Sequence, residues 1–244
     1  SLSVREEAAK YPKLSPEAAK ELVSQTQEQK EIRRSMFINP SLTYQQRRGI
    51  LGQKEGLFSE VPLAEPGQKV SMELYRMGSP VEREYLGTFT KQPSVLLRLL
   101  EEGTKEQISN ALINSSTPET LIKHYLASSK RDIKVVTHMV ERRGFSSGIA
   151  DKVYNLYPHN EDILLALLQY QTPGKAIRKK IESKIFRYDS LINYLLRNPE
   201  SFSTDAIKKA IEVVPEHRFS VLTDNIGHSY GSLENKSDII QSPL

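Results

Sequence analysis

From Ser94 onward, apolar residues recur at helical spacing in short bursts, each cut off by a turn residue or a cap. The pattern predicts helices over roughly 94–102, 105–114, 118–129, 132–142, 146–157, 161–171, 175–187, 189–197 and 203–214, with a further one over 216–226. Thr104, Thr117 before Pro118, Ser146, Asn160 and Ser203 stand where N-caps belong, because their side-chain oxygens can accept from the free N–H groups of a first turn. Gly103, Gly144, Pro158, Pro173-Gly174, Pro199 and Pro215 close the intervening turns. No run alternates with the period of a strand.

The first helix of each pair is the more apolar. Val95, Leu96, Leu99 and Leu100 open the series, followed by Leu121, Ile122 and Leu126, then Val135, Val136, Met139 and Val140. Ile163, Leu164, Leu167 and Leu168 come next, and Leu191, Ile192, Leu195 and Leu196 close it. A helix this short and this apolar is stable only between neighbours, which stacked units provide. The segments starting at Asp132 and Asp189 also match without a gap at an offset of about 57 residues, two units of about 28 to 30. In that register Phe145-Ser146 falls on Phe202-Ser203, Lys152 on Lys209 and Pro158 on Pro215. The expected fold is all-α, with helix–turn–helix repeats stacked as an α-solenoid.

Residues 1–90 follow a different pattern. Ser15-Pro16-Glu17 begins a helix expected to reach Phe37, polar on every side through its middle, and a shorter one is expected after Thr43. From Gly52 to Phe89, glycines and prolines interrupt isolated apolar residues, which predicts an extended arm packed on a larger surface. The expected organisation is therefore a helix and arm over 1–90, a helical repeat domain over 91–228 and a tail over 229–244. A chain that opens at Ser1 rather than Met is expected to be trimmed or processed, and a removed organellar presequence and a cloning truncation fit equally.

Composition narrows the chemistry. The chain has no cysteine, which excludes disulfides, thiolate metal sites and a cysteine nucleophile. The longest purely apolar run, Ile163 to Leu168, falls far short of a membrane span. Net charge is +4, and its distribution is uneven. The segment KAIRKKIESKIFR carries six cations and one acid, while Ile177, Ile181 and Ile185 form an i, i+4, i+8 stripe toward a core. Lys175, Lys179, Lys180, Lys184 and Arg187 are expected to fan over the exposed surface, with Arg142 and Arg143 extending the patch. Such a field suits phosphates. Tyr154, Tyr157, Tyr170, Phe186, Tyr188 and Tyr194 lie near it and are candidates for stacking on unpaired bases or, alternatively, for half-buried packing. Arg33-Arg34 and Arg47-Arg48 form weaker basic pairs, better suited to a helix surface than to a threading arm.

The five histidines show no metal-ligand spacing, and no phosphate loop or nucleophile elbow occurs. Asp132, Asp162 and Asp189 sit at helix starts, where they face the positive end of the dipole. The chain is accordingly expected to be a non-enzymatic binding protein without cofactor or metal, contacting RNA or a ribonucleoprotein such as a ribosome. The alternative is a protein–protein scaffold or assembly factor whose basic patch is incidental, with a protein partner docked through the N-terminal arm. The paired helices resemble tetratricopeptide and pentatricopeptide arrays in style, with a unit shorter than about 34 residues. The combination of arm, basic array and processed start is similar to proteins of organellar gene expression, which implies the mitochondrial matrix; without that likeness the expected compartment is cytoplasmic or nuclear.

Overall fold

The computed structural model describes residues 2–24, 30–51 and 66–213, and the helix expected over 216–226 and the tail over 229–244 lie outside them. Among the described residues the chain is all-α, with no strand. It divides into two compact units, Ser1–Met139 and Val140–Leu244, the division falling inside one helix. The first unit contains α1 (Leu2–Lys10), α2 (Pro16–Ser24), α3 (Lys30–Ile38), α4 (Tyr44–Leu51), α5 (Gln68–Met77), α6 (Pro80–Phe89), α7 (Pro93–Glu102), α8 (Lys105–Ile113) and α9 (Glu119–Ala127). Helix α10 (Ile133–Arg142) carries the division. The second unit continues with α11 (Ser147–Leu156), α12 (Glu161–Tyr170), α13 (Lys175–Glu182), a 3-10 turn at Ile185–Arg187, α14 (Asp189–Arg197), a second 3-10 turn at Pro199–Ser201 and α15 (Thr204–Val213).

The main helix–helix contacts join a helix to its successor or to the helix after that. In the first unit α1 lies on α3, α2 on α4, α5 on α7, α6 on α8 and α7 on α9, and in the second unit α12 lies on α14. That neighbour pattern is the mark of a helical repeat. The apolar faces predicted from sequence form the core, since Val95, Leu96, Leu99, Val136, Met139, Val140, Ile163, Leu164, Leu167, Leu191 and Leu195 are all buried. Leu121 and Ile192 are half-buried.

Side-chain amides tie successive repeats together. Asn114, at the end of α8, donates from Nδ2 to the carbonyls of Gly87 and Thr90, each at 2.9 Å. Its Oδ1 accepts from the Ser116 N–H. Asn39, after α3, repeats the arrangement by donating to the Ala9 and Tyr11 carbonyls while accepting from Ser41 N–H. Gln171, after α12, donates to the Val140 and Arg143 carbonyls and accepts from Phe145 N–H. All three side chains are buried, so each satisfies carbonyls that a helix end leaves without partners.

Three sequence expectations change in the first unit. The single helix over 15–37 is two helices, α2 and α3, on either side of residues outside the described set. The arm expected over 52–89 is, from residue 66 onward, α5 and α6, so docking through an extended arm has no basis there. The punctuation that suggested a loop is capping: Gly67 and Gly78 flank α5, and Ser79 with Glu82 forms a capping box with Pro80 in the first turn of α6. Gly87 lies inside α6 because α8 approaches so closely that a Cβ there would stand 3.0 Å from the Gln107 carbonyl oxygen. Finally, Thr117 does not cap α9; Pro118 holds the N-cap position and the Thr117 hydroxyl donates to the Ala111 carbonyl.

Candidate nucleic-acid interface

Helix α13 is oriented by its isoleucines. Ile177 and Ile181 are buried, as is Ile185 in the following 3-10 turn. At about 100° per residue that fixes the opposite arc, where Lys175, Ala176, Lys179, Lys180 and Ser183 are all exposed. Among the described residues, Lys175, Lys179 and Lys180 have no carboxylate partner. The one acid of the segment, Glu182, is occupied. It pairs with Arg178 at 3.6 Å and accepts from the Ser203 N–H and hydroxyl, so its charge caps the start of α15.

The predicted site residues divide into two groups. Lys175 and Lys179, with Arg178 and Glu182, line an open groove of ≈ 670 Å³ whose other lining residues run from Glu200 to Ser203 and include Asp205. Lys180 and Arg187 are exposed and line neither this groove nor its smaller neighbour. Lys184 does not join the exposed fan. Its Nζ donates to the Pro158 carbonyl at 2.6 Å and lies 4.9 Å from the centre of the Tyr154 ring, which makes it a link between repeats. Arg142 is exposed and Arg143 half-buried at the end of α10, where the Arg143 carbonyl receives the Gln171 amide. Arg178 was absent from the predicted set; its guanidinium donates to the Ser201 carbonyl and so braces the groove.

Most of the neighbouring aromatics are engaged in packing. Tyr154 is buried. The Tyr188 hydroxyl donates to the His159 carbonyl at 2.9 Å, and the Tyr194 ring meets Phe202 edge-on. Tyr157 is half-buried. Phe186 and Tyr170 differ. Tyr170 is 54% exposed, and Phe186 lines a smaller groove with Lys179, Ser183, Ser203 and Lys209.

The N-terminal arginines are placed the other way round. Arg47 is 1% exposed. It donates to the Asn39 and Leu42 carbonyls and pairs with Glu73, while Arg48 lies 3.7 Å from the buried Glu82. Tyr44 donates to Glu82 at 2.9 Å. Burial draws the Arg47 guanidinium below its ordinary pKa, an effect the Glu73 carboxylate opposes. Burial, and then the bond to Glu82, raises the Tyr44 phenol. This pair is a structural element and belongs to neither a helix surface nor a threading arm.

The remaining sequence candidates resolve into structural roles. His138 Nδ1 lies 2.7 Å from the Ser109 hydroxyl, and His124 pairs with Glu101 at 3.2 Å. Asp132 caps α10 by accepting from Lys134 N–H and Val135 N–H, and it bonds Lys105 at 2.5 Å across the repeat. That bond, foremost among the causes, holds the Asp132 carboxyl below its usual range. Among the described residues no group of three or more metal-ligating side chains converges, and no helix is long and apolar enough to cross a membrane. No family model, curated protein or solved structure matches the chain.

Proposed function

We propose that the second unit binds RNA, alone or in a ribonucleoprotein, through phosphate contacts along the outer arc of α13. The observation that carries this reading is the trio Lys175, Lys179 and Lys180, exposed together and without carboxylate partners among the described residues, with only Ala176 and Ser183 between them. Ammonium groups arranged this way displace the counterions condensed on a polyphosphate, and that release drives binding without reading sequence. Arg187 and Arg142 extend the positive surface as further exposed cations.

The test is a salt titration of binding to a labelled single-stranded RNA, comparing the parent chain with the triple variant Lys175→Glu, Lys179→Glu, Lys180→Glu. Three lost phosphate contacts correspond to a slope difference of about 2, or roughly 20-fold in affinity between about 50 and 200 mM salt. Lys184 is left intact, because reversing its charge would break the link to Pro158 and confuse folding with binding. A triple variant that binds as the parent does, with the same salt slope, overturns the proposal.

A further inference from the structure

We infer that the small groove beneath the basic arc is a pocket for one unpaired nucleobase, with Phe186 as its stacking platform; the inference rests on the RNA reading above. The groove holds ≈ 170 Å³ and lies between the end of α13, the 3-10 turn and the first half of α15. Phe186 is half-buried, so part of its ring remains open to the groove. Lys209 of α15 lies 5.2 Å from the ring centre, and Lys179 of the basic arc lines the same groove.

Such a layout suits a nucleotide better than a bare anion. An aromatic face accepts any base by stacking, and two lysines beside it can take the flanking phosphates. The Lys209 ammonium now over Phe186 acts as a placeholder: a base that stacks on the ring displaces it, and its flexible stem carries it toward phosphate. Glu182 also lines the groove but is occupied by Arg178 and Ser203. Asp205, at the start of α15, also lines the groove and repels phosphate, which leaves the lysine side as the path for the backbone. Ser183 and Ser203 are within the lining, but both hydroxyls already donate, Ser183 Oγ to the Lys180 carbonyl and Ser203 Oγ to Glu182. A base held this way must be unstacked, so the ligand class is single-stranded RNA rather than duplex.

The test compares a labelled single-stranded oligoribonucleotide with the same sequence as a duplex, using the parent chain, Phe186→Leu and Phe186→Tyr. Phe186→Leu keeps apolar volume but removes the ring, and is expected to weaken single-strand binding roughly 5- to 100-fold while leaving duplex binding and the salt slope unchanged. Phe186→Tyr keeps the ring and should retain affinity. Thermal melts of all three chains exclude loss of fold as the cause, and a 2-aminopurine in the single strand should be quenched by the parent and by Phe186→Tyr but not by Phe186→Leu. If Phe186→Leu binds both forms as the parent does, or weakens both equally, the pocket is wrong while the phosphate reading stands. If the triple lysine variant also binds like the parent, both fall.

Discussion

Arg47-Arg48 and the lysines of α13 are alike as sequence, short clusters of cations on short helices, yet the protein uses them in opposite ways. Around Arg47 the neighbouring repeat supplies Glu73 to Nη2, the Asn39 and Leu42 carbonyls take Nη1, and the buried Glu82 lies beside Arg48, so the arginine disappears into the first unit. Around α13 the single acid is spent on Arg178 and on the cap of α15, and the lysines keep their charge toward solvent. What separates a structural cation from a displayed one is where the nearest carboxylate points. Local net charge alone does not distinguish them.

The contrast can be broken most sharply at Arg47. Arg47→Ala should cost about 3–5 kcal/mol in urea denaturation, because it strands buried acceptors, whereas Lys180→Ala should stay within about 0.5 kcal/mol of the parent. Equal effects at the two positions would remove the distinction. Gly87→Ala comes next. Its Cβ would meet backbone atoms of α8 at 3.0 and 3.1 Å, which cannot yield separately, so α6 and α8 must part. A net loss of about 1–2 kcal/mol is expected by the same measurement, although alanine favours a helix interior by about 1 kcal/mol. The smallest effect lies at the exposed link between Lys105 and Asp132. Because the folded state holds the Asp132 carboxyl below its ordinary value, the link stabilises above the unfolded carboxylate pKa and is lost as pH falls through the folded one. Asp132→Asn should therefore lower the neutral melting temperature slightly and leave the value at low pH nearly unchanged, which flattens the acid limb below about pH 4.

Periodicity located the array from α7 to α15 through its most apolar helices, where Val95, Leu96, Leu99 and Leu100 are buried on α7 and Ile163, Leu164, Leu167 and Leu168 on α12. Helix α5 was missed because it buries only Val70, Ser71 and Leu74, too thin a stripe to stand out. A legible signal existed at α6: Ser79-Pro80-Val81-Glu82 carries the same cap and proline as Ser15-Pro16-Glu17, yet Gly87 broke the pattern because close helix approach looks like a breaker in one dimension. In the candidate site, the isoleucine stripe was enough to place Lys175, Lys179 and Lys180 outward. It was silent on Lys184, whose partners at Pro158 and Tyr154 lie a full repeat earlier. Phe186 could be named as a candidate but not separated from the tyrosines, since only packing shows which rings are covered.

The buried amides carry a consequence for how the protein comes apart. Gln171 reaches back to the carbonyls that close α10, so the last turn of that helix cannot fray while the peptide after α12 stays in place. Amide exchange should then proceed in hairpin-sized steps, with protons near Val140 slowing and quickening together with those near Phe145 and Gln171. Cooperativity in the second unit thus passes through a polar side chain spanning the gap between repeats, while the apolar faces supply the bulk of the cohesion.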